Sequence, residues 1–304
     1  MPELPDVTAY VEAIQERIAG QALTAYSILS PFVLRTVEPP LDALVGTRVA
    51  GVQRLGKRIV IEFTQARFIV IHLMIAGRFR WFAAGARKKV AGRIALAELE
   101  FPTGTLFLTE AGTKRRASLH VVQGRDALTH FDRGGLEVLN ASLDAFAERL
   151  SRENHTLKRS LTDPRLFSGI GNAYSDEILH AARLSPVTMS DRVSDEEVAR
   201  LHLAVKTTLE AWTARLRAEA KGGFPEKVTA FRPEMAVHGR FKEPCPVCAS
   251  PVQRIVYAES ETNYCATCQT RGKLLADRGL SRLLREDWPR SLDEMEDYVA
   301  ERRQ

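Results

Sequence analysis

The spacing of apolar residues predicts one helix at the start of the chain, followed by a long β-rich stretch. Apolar residues recur at helical spacing between Val7 and Ile18, and Gly20 ends this pattern. From Ala22 to Val122, short runs of β-branched and aromatic residues predict antiparallel strands in a sandwich or barrel. The clearest runs are Arg58 to Thr64, Arg67 to Leu73, Arg78 to Phe82 and Thr105 to Thr109.

Helical spacing returns between about residues 130 and 220. Ser194 and Glu197 form a Ser-x-x-Glu capping box, which predicts the start of the last helix. The glycine-rich stretch from Lys221 to Pro225 then ends the helical pattern. This order predicts an α+β protein with several domains. The clearest helical segments are Ala141 to Arg152, Tyr174 to Ala182 and Ser194 to Glu219.

Length and composition are typical of a globular protein with room for two or three compact units. The chain has 304 residues, of which 45% are hydrophobic and 27% charged. Its formal net charge of +5 favours a polyanionic partner only where the basic residues cluster. No apolar run reaches the roughly 18 residues that span a bilayer, and the N-terminus lacks the layout of a signal peptide. We therefore expect a cytoplasmic protein.

The four cysteines form two closely spaced pairs. Cys245 and Cys248 make one Cys-x-x-Cys knuckle, Cys265 and Cys268 make a second, and residues 249–264 separate them. This spacing is typical of a four-thiolate zinc ribbon. Because four thiolates complete the tetrahedron and leave no position for a substrate water, we expect one structural Zn²⁺ ion. Two redox pairs or idle thiols are the alternative interpretation.

Two further elements each allow two interpretations. Gly169-Ile170-Gly171-Asn172 lies between helical segments, where glycines permit a tight turn and the next helix can direct free N–H groups at a phosphate. An ordinary helix–helix turn explains the same residues. Lys114-Arg115-Arg116 is a basic run that either contacts nucleic acid or is solvated surface.

Taken together and in this order, the motifs resemble those of the formamidopyrimidine-DNA glycosylase and endonuclease VIII family. The resemblance covers roughly residues 1 to 268, and the tail is outside the common family pattern. The matching stretches are Met1-Pro2-Glu3-Leu4-Pro5-Asp6-Val7, Val52-Gln53-Arg54-Leu55-Gly56-Lys57, Ile71-His72-Leu73, Lys158, Gly169-Ile170-Gly171-Asn172-Ala173-Tyr174 and His238-Gly239-Arg240.

The resemblance implies an N-terminal helix with an antiparallel β-sandwich, a helix-two-turn-helix domain and a C-terminal β-hairpin zinc finger. We place the catalytic sandwich domain at residues 1–125, the helical DNA-binding domain at 126–225, the zinc finger at 226–268 and a charged extension at 269–304. The implied partner is damaged DNA, with no membrane partner. The implied protein is a monomer in the cytoplasm, associated with the nucleoid.

By the same resemblance, Pro2 is the nucleophile of a glycosylase that also cleaves the strand at the abasic site by β- or β,δ-elimination. This reaction needs an amine that attacks the sugar C1′ and forms an iminium. An α-amine with a pKa of about 7.7 to 8.0 is about a quarter to 40% unprotonated at pH 7.5, against about 0.1% for a lysine. Pro2 carries this amine only after Met1 is removed.

The resemblance also assigns roles to other residues. Glu3 is implied as the acid and base that assists sugar-ring opening and moves protons, and Asp6 supports it at a position where the family more often has Glu. Lys57, grouped with the catalytic residues, is implied to contact the phosphate near the lesion. The other implied DNA contacts, which position the backbone without reading sequence, are His72, Arg115, Arg116, Lys158 and Asn172.

Besides Asp6, three further positions depart from the family pattern. Ser260 stands where the family usually has the zinc-finger arginine that grips phosphates around the flipped nucleotide. Ile75 and Ala117 stand where it usually has the Met and Phe that fill the hole left by the flipped base. Because flipping costs a few kcal/mol, a smaller wedge predicts a preference for single strands, bubbles or distorted lesions.

Two alternative functions stay open. The first is a catalytically weak protein of the same fold that binds damaged or branched DNA; Ser260 and Ala117 favour it, whereas Pro2 and Glu3 favour the enzyme. The second is a zinc-stabilised RNA-binding protein.

Overall fold

The computed structural model describes residues 1–87, 89–112, 114–226, 228–229, 231–257, 260–276, 289–292 and 294–295. The chain divides into two compact units, Met1–Gly135 with Glu210–Ala230, and Leu136–Leu209 with Phe231–Gln304. Among the described residues, no helix is both long and apolar enough to cross a membrane. Much of the extension predicted at 269–304 lies outside the described residues, at 277–288, 293 and 296–304.

Helix α1 (Leu4–Ile18) opens the first unit and follows the predicted spacing. One face of the helix is buried because its apolar residues fall three and four positions apart. The ring of Tyr10 meets that of Phe79 edge-on, with centroids 5.4 Å apart. The start of the chain is therefore fixed against the β-strands.

The first unit contains two four-stranded antiparallel sheets. Their orders are β1-β6-β7-β5 and β2-β3-β4-β8, so the predicted sandwich is confirmed. The strands are β1 (Ala25–Ile28), β2 (Val49–Leu55), β3 (Arg58–Phe63), β4 (Arg67–His72), β5 (Gly77–Ala83), β6 (Ala95–Phe101), β7 (Gly104–Glu110) and β8 (Ser118–Gln123).

Strands β3 and β4 are buried on both faces. Ile61 and Ile69 face the core that the two sheets share with α1. On the opposite face, Val60 and Val70 belong to a second cluster that includes Phe131. Because both faces are covered, these strands give a rigid base to the turns at their ends.

The second unit is mainly helical and includes a β-hairpin. Antiparallel strands β9 (Val252–Tyr257) and β10 (Ser260–Cys265) form that hairpin. Its helices are α2 (Leu143–Ser151), α3 (Leu157–Thr162), α4 (Asn172–Ala181), α5 (Asp195–Ala220), whose residues from Glu210 onward count with the first unit, and α6 (Ala266–Thr270).

The predicted capping box at the start of α5 is confirmed. The Glu197 N–H donates to Ser194 Oγ at 3.3 Å, and the Ser194 N–H donates to Glu197 Oε2 at 3.1 Å. Two backbone donors that the helix cannot satisfy internally are thereby paired.

Helix α4 is buried along most of its length, from Ala173 to His180. A helix buried on all sides is usually apolar, yet this one contains Ser175, Asp176, Glu177 and His180 at buried positions. Each of these side chains therefore needs a partner within the protein.

Gly77 at the start of β5 offers a test of the turn between β4 and β5. A Cβ on Gly77 would lie 2.2 Å from the Leu73 carbonyl oxygen, whereas one on Gly92 would meet nothing within 4 Å. We expect Gly77→Ala to lower the free energy of unfolding by about 1–3 kcal/mol, because backbone must shift. Gly92→Ala, the control, should change it by no more than ~0.5 kcal/mol. Urea unfolding measures both, and equal effects would contradict the turn geometry.

Candidate active site and metal centre

The N-terminal residues of the first unit form a buried acidic site. Glu3 and Asp6 are 2% and 1% exposed, respectively, and Pro2 is also buried. The Glu3 N–H, just before the first turn of α1, donates to Asp6 Oδ2 at 3.0 Å. Asp6 therefore holds the backbone of Glu3, which is consistent with its predicted supporting role.

The α-amine of the chain lies among these carboxylates and two cations. Burial lowers the pKa of the Met1 amine from its ordinary value. Glu3 and Asp6 oppose this shift, whereas Arg78 and Lys57 add to it. Lys57 thus lies near enough to the N-terminal amine to act on its pKa, and so does Arg78, which the sequence did not single out.

His72 ends strand β4 and is held as a neutral imidazole. Burial, together with Arg58 and Lys57, lowers its pKa to about 4. Nδ1 of the ring accepts a hydrogen bond from the Met74 N–H at 3.1 Å, so the proton of the neutral ring lies on Nε2. His72 can therefore offer one N–H donor but no charge near neutral pH.

The turn after His72 exposes a single large apolar side chain at its tip. Ile75 is 61% exposed, and Met74 next to it has a left-handed backbone with φ of 52°. The Arg78 guanidinium donates to the carbonyls of Ile75 at 3.1 Å and Gly77 at 2.6 Å. The arginine near the amine therefore also fixes the turn.

The basic run before β8 is held by a buried carboxylate that the sequence did not single out. Glu110, 2% exposed, accepts from the N–H groups of Arg116 at 2.9 Å and Ala117 at 3.0 Å. The Arg115 guanidinium donates to the Arg93 carbonyl. Arg116 is exposed, whereas Ala117 is buried and cannot project into a ligand.

In the second unit, the predicted residues Lys158 and Asn172 lie side by side. Lys158 Nζ donates to the Asn172 carbonyl at 2.6 Å and to Asp176 Oδ1 at 2.5 Å. The Asn172 amide donates to the Glu261 carbonyl on β10 at 2.8 Å. Both residues line a cavity of about 630 Å³.

Two adjacent carboxylates on α4 connect this pair to the segment before the first knuckle. Asp176 Oδ2 lies 2.8 Å from His238 Nδ1. Glu177 accepts from the backbone N–H groups of Ala236, Val237 and His238 at 2.7 to 3.0 Å. Burial raises the pKa of Glu177, and these donors oppose the shift. Sequence reasoning missed both carboxylates because their partners are distant in the chain.

The four cysteines converge as their spacing predicts, with all four sulfurs within 4.8 Å of one another. Zinc–sulfur bonds of about 2.3 Å place tetrahedral sulfurs about 3.8 Å apart. The Cys245–Cys268 and Cys248–Cys265 sulfurs are 4.0 and 3.4 Å apart, which fits that geometry. His180 Nε2 lies 3.3 Å from Cys245 Sγ and can donate to the thiolate.

Three family models match the chain in the order of these sites. They are the formamidopyrimidine-DNA glycosylase N-terminal domain at residues 1–121, the H2TH domain of the same enzyme at 136–218, and a zinc finger found in FPG and IleRS at 242–271.

Curated relatives and solved structures agree with this match. Formamidopyrimidine-DNA glycosylase of Variovorax paradoxus is 32% identical over 282 residues, covering 88% of this chain and all of the relative. An uncharacterized formamidopyrimidine-DNA glycosylase-like protein of Mycobacterium tuberculosis is 40% identical over 50% of this chain and 94% of its own length. The Lactococcus lactis Fpg, crystallised with abasic-site DNA, superposes with a TM-score of 0.77 at 23% identity, covering 88% of this chain and 99% of the other.

The fold and the two sites thus define an α+β protein of two compact units, with an N-terminal amine site in the first and a cysteine metal centre in the second. The chain belongs to the formamidopyrimidine-DNA glycosylase family. Its four thiolates hold one structural zinc ion. Four protein ligands leave that ion no open position, so it supports folding and takes no part in the chemistry.

Metal analysis tests this centre. We expect purified protein to carry about one zinc per chain, and Cys265→Ser to lower the content at least tenfold, because the site loses a buried thiolate. Thr270→Ala is the control, since its hydroxyl donates to the backbone carbonyls of Ala266 and Lys273 and not to a cysteine, so zinc should stay in place. Full zinc content in Cys265→Ser would show that the four thiolates are not the ligands.

Proposed function

We propose that the protein is a base-excision-repair DNA glycosylase that removes oxidised bases and cleaves the strand at the resulting abasic site through Pro2. One observation carries this proposal: Pro2 is buried directly before the buried Glu3, and burial at this end of the chain lowers the pKa of the Met1 amine that precedes Pro2. The curated relatives named formamidopyrimidine-DNA glycosylase support it.

The proposed chemistry follows from this arrangement once Met1 is removed. The Pro2 nitrogen attacks C1′ as the bond from C1′ to the base breaks, so the base leaves with the electron pair. The proton lost from the Pro2 nitrogen neutralises the departing base, which restores the lone pair needed for ring opening. Glu3 donates a proton to the ring oxygen as the sugar opens, which leaves a C1′ iminium on Pro2. The iminium acidifies the C2′ proton, and loss of that proton expels the 3′ phosphate.

The proposed DNA contacts lie in both units. In the first, Lys57, Arg115 and Arg116 supply charge for phosphates, whereas His72 supplies an uncharged Nε2–H donor. In the second, Lys158 and Asn172 line one cavity. We further propose that the protein acts as a monomer in the cytoplasm, in association with the nucleoid. The division at residues 125, 225 and 268 also remains a proposal.

Reductive trapping tests the role of Pro2. We expect borohydride to cross-link the mature protein to abasic-site DNA, with the adduct on Pro2 by peptide mapping. Retaining one residue before Pro2 should abolish the adduct on Pro2, because the Pro2 nitrogen is then an amide. We expect the burial that lowers the pKa of the Met1 amine to act on the Pro2 amine of the mature protein as well, so the yield should rise with pH around a midpoint below the ~7.7–8.0 of an exposed α-amine.

Glu3→Gln separates the acid–base role from folding. We expect it to slow base excision by about 10²–10⁴-fold. Glu12→Gln is the control on the same helix, where the carboxylate only pairs with Arg217 at 2.5 and 2.8 Å. A zinc-loaded mature protein that never cross-links would favour the alternative, a catalytically weak protein that binds damaged or branched DNA. Stronger competition by RNA than by matched DNA would point to an RNA-binding protein.

The wedge positions predict a preference among lesions. Ala117 is 3% exposed and Ile75 is 61% exposed, so of these two only Ile75 can enter a gap in the base stack. We expect single-stranded or bubble lesions to be cleaved faster than lesions in intact duplexes, because the protein recovers little of the flipping cost. Comparable cleavage of an 8-oxoguanine:cytosine duplex and a single-stranded oxidised pyrimidine would argue against this.

The contribution of Ile75 can be isolated by substitution. Ile75→Ala should slow duplex cleavage about 5- to 10-fold more than single-strand cleavage, which corresponds to about 1 kcal/mol of lost apolar contact. The control, Val37→Ala, removes another exposed apolar side chain of the same unit, at 83% exposure, and should leave the ratio unchanged. Single-turnover rates on matched substrates measure the ratio.

A further inference from the structure

Two neighbouring cations line the cavity in the second unit, and they differ in whether a carboxylate compensates their charge. Lys158 and Arg159 both line it, together with Asn172 and the hydroxyl-bearing Thr156 and Thr162. Positive charge with hydroxyl and amide donors is the chemistry that recognises a phosphate group. The two cations can therefore differ in role: one can supply net positive charge, and the other a hydrogen bond of fixed direction.

Lys158 is largely committed within the protein. A lysine ammonium has three N–H donors, and two of them go to the Asn172 carbonyl and Asp176 Oδ1. The Asp176 side chain is 0% exposed and that of Lys158 only 13%, so the pair is close and well shielded from water. One N–H of Lys158 remains for a ligand, and the neighbouring carboxylate cancels its charge.

Asp176 also contacts residues other than Lys158. Its Oδ2 lies 2.8 Å from His238 Nδ1 and 3.5 Å from the Asn263 amide nitrogen. One carboxylate thus connects helix α3, the segment before the first knuckle and strand β10. Movement of any of these elements would displace the ammonium.

Arg159 differs from Lys158 in both exposure and ion pairing. Its side chain is exposed, and within the described part of the chain it forms no ion pair. Its backbone is fixed, because the Arg159 N–H donates to Thr156 Oγ1 at 3.4 Å at the start of α3. It therefore presents an uncompensated charge from a fixed position on the wall of the cavity.

We propose that Asp176 is a positioning residue for DNA binding, which aims one N–H of Lys158 at a backbone phosphate and neutralises its charge, while Arg159 supplies the electrostatic attraction of this cavity. The proposal rests on the proposed DNA-binding function. In this site, Lys158 supplies a directed hydrogen bond to the phosphate, and Arg159 supplies the positive charge that attracts it.

Salt dependence distinguishes these roles. The logarithm of the binding constant for an undamaged duplex falls with the logarithm of salt concentration by about 0.9 for each phosphate neutralised. We expect Arg159→Met to reduce this slope by about 0.9. The double variant Lys158→Met/Asp176→Asn, which removes a neutral pair, should leave it unchanged. Asp176→Asn alone should make the slope steeper by about 0.9, because the charge of Lys158 is then no longer compensated by a carboxylate. Structural damage alone would not make the slope steeper.

Discrimination between DNA substrates provides the second readout. We expect Asp176→Asn and the double variant to lower the ratio of abasic-site to undamaged affinity at least fivefold, because the ammonium is no longer aimed. Arg159→Met should weaken binding to both substrates equally. Arg192→Met, an exposed arginine of the same unit outside the cavity lining, is the control and should change neither quantity.

Specific outcomes would overturn the proposal. They are a wild-type slope in Arg159→Met, or a slope in the double variant that falls as much as in Arg159→Met. If Asp176→Asn loses zinc or helix content, the slopes of Arg159→Met and Arg192→Met still test whether Arg159 supplies the charge. Equal slopes in these two variants would overturn the proposal. Failure of the Pro2 chemistry is a separate result, since a protein that is never trapped can still show these slopes.

Discussion

A carboxylate removed from water costs several kcal/mol unless donors or cations surround it, and this constraint shapes both units. The first unit buries Glu3, Asp6 and Glu110, and the second buries Asp176 and Glu177. Each of these groups lies beside a residue proposed for function. The compensation of buried charge therefore also fixes the positions of the groups that would meet DNA.

The two adjacent carboxylates of α4 fix different parts of the second unit. Within the described part of the chain, Glu177 accepts hydrogen bonds from backbone N–H groups, which fixes the path of the chain into the first knuckle. Asp176 binds side chains, which fixes the ammonium of Lys158. Since His180 on the same helix contacts Cys245, the metal centre and the proposed phosphate site share one buried helix. Loss of zinc should therefore disturb Lys158 even though the two are not in contact.

Features with local signals could be predicted from the sequence, and features that depend on distant pairing could not. The helical spacing of α1, the Ser194 capping box and the cysteine knuckles each lie within a few residues, and the structure confirms them. The partners of Asp176 include His238, 62 positions away, so no local pattern indicates the pair. Glu110 escaped notice because a lone acidic residue at a strand end looks like surface until burial is known.

The N-terminal amine illustrates why proximity of charges alone does not decide reactivity. Two carboxylates beside an amine would by themselves raise its pKa and keep it protonated. Here burial is the largest influence and lowers the pKa, with Arg78 and Lys57 acting in the same direction. The carboxylates can therefore lie near the amine without raising its pKa above the ordinary value. Asp6 accepts from the Glu3 backbone, which fixes the start of α1. Burial at the start of the chain thus both supports α1 and shifts the Met1 amine toward its unprotonated form.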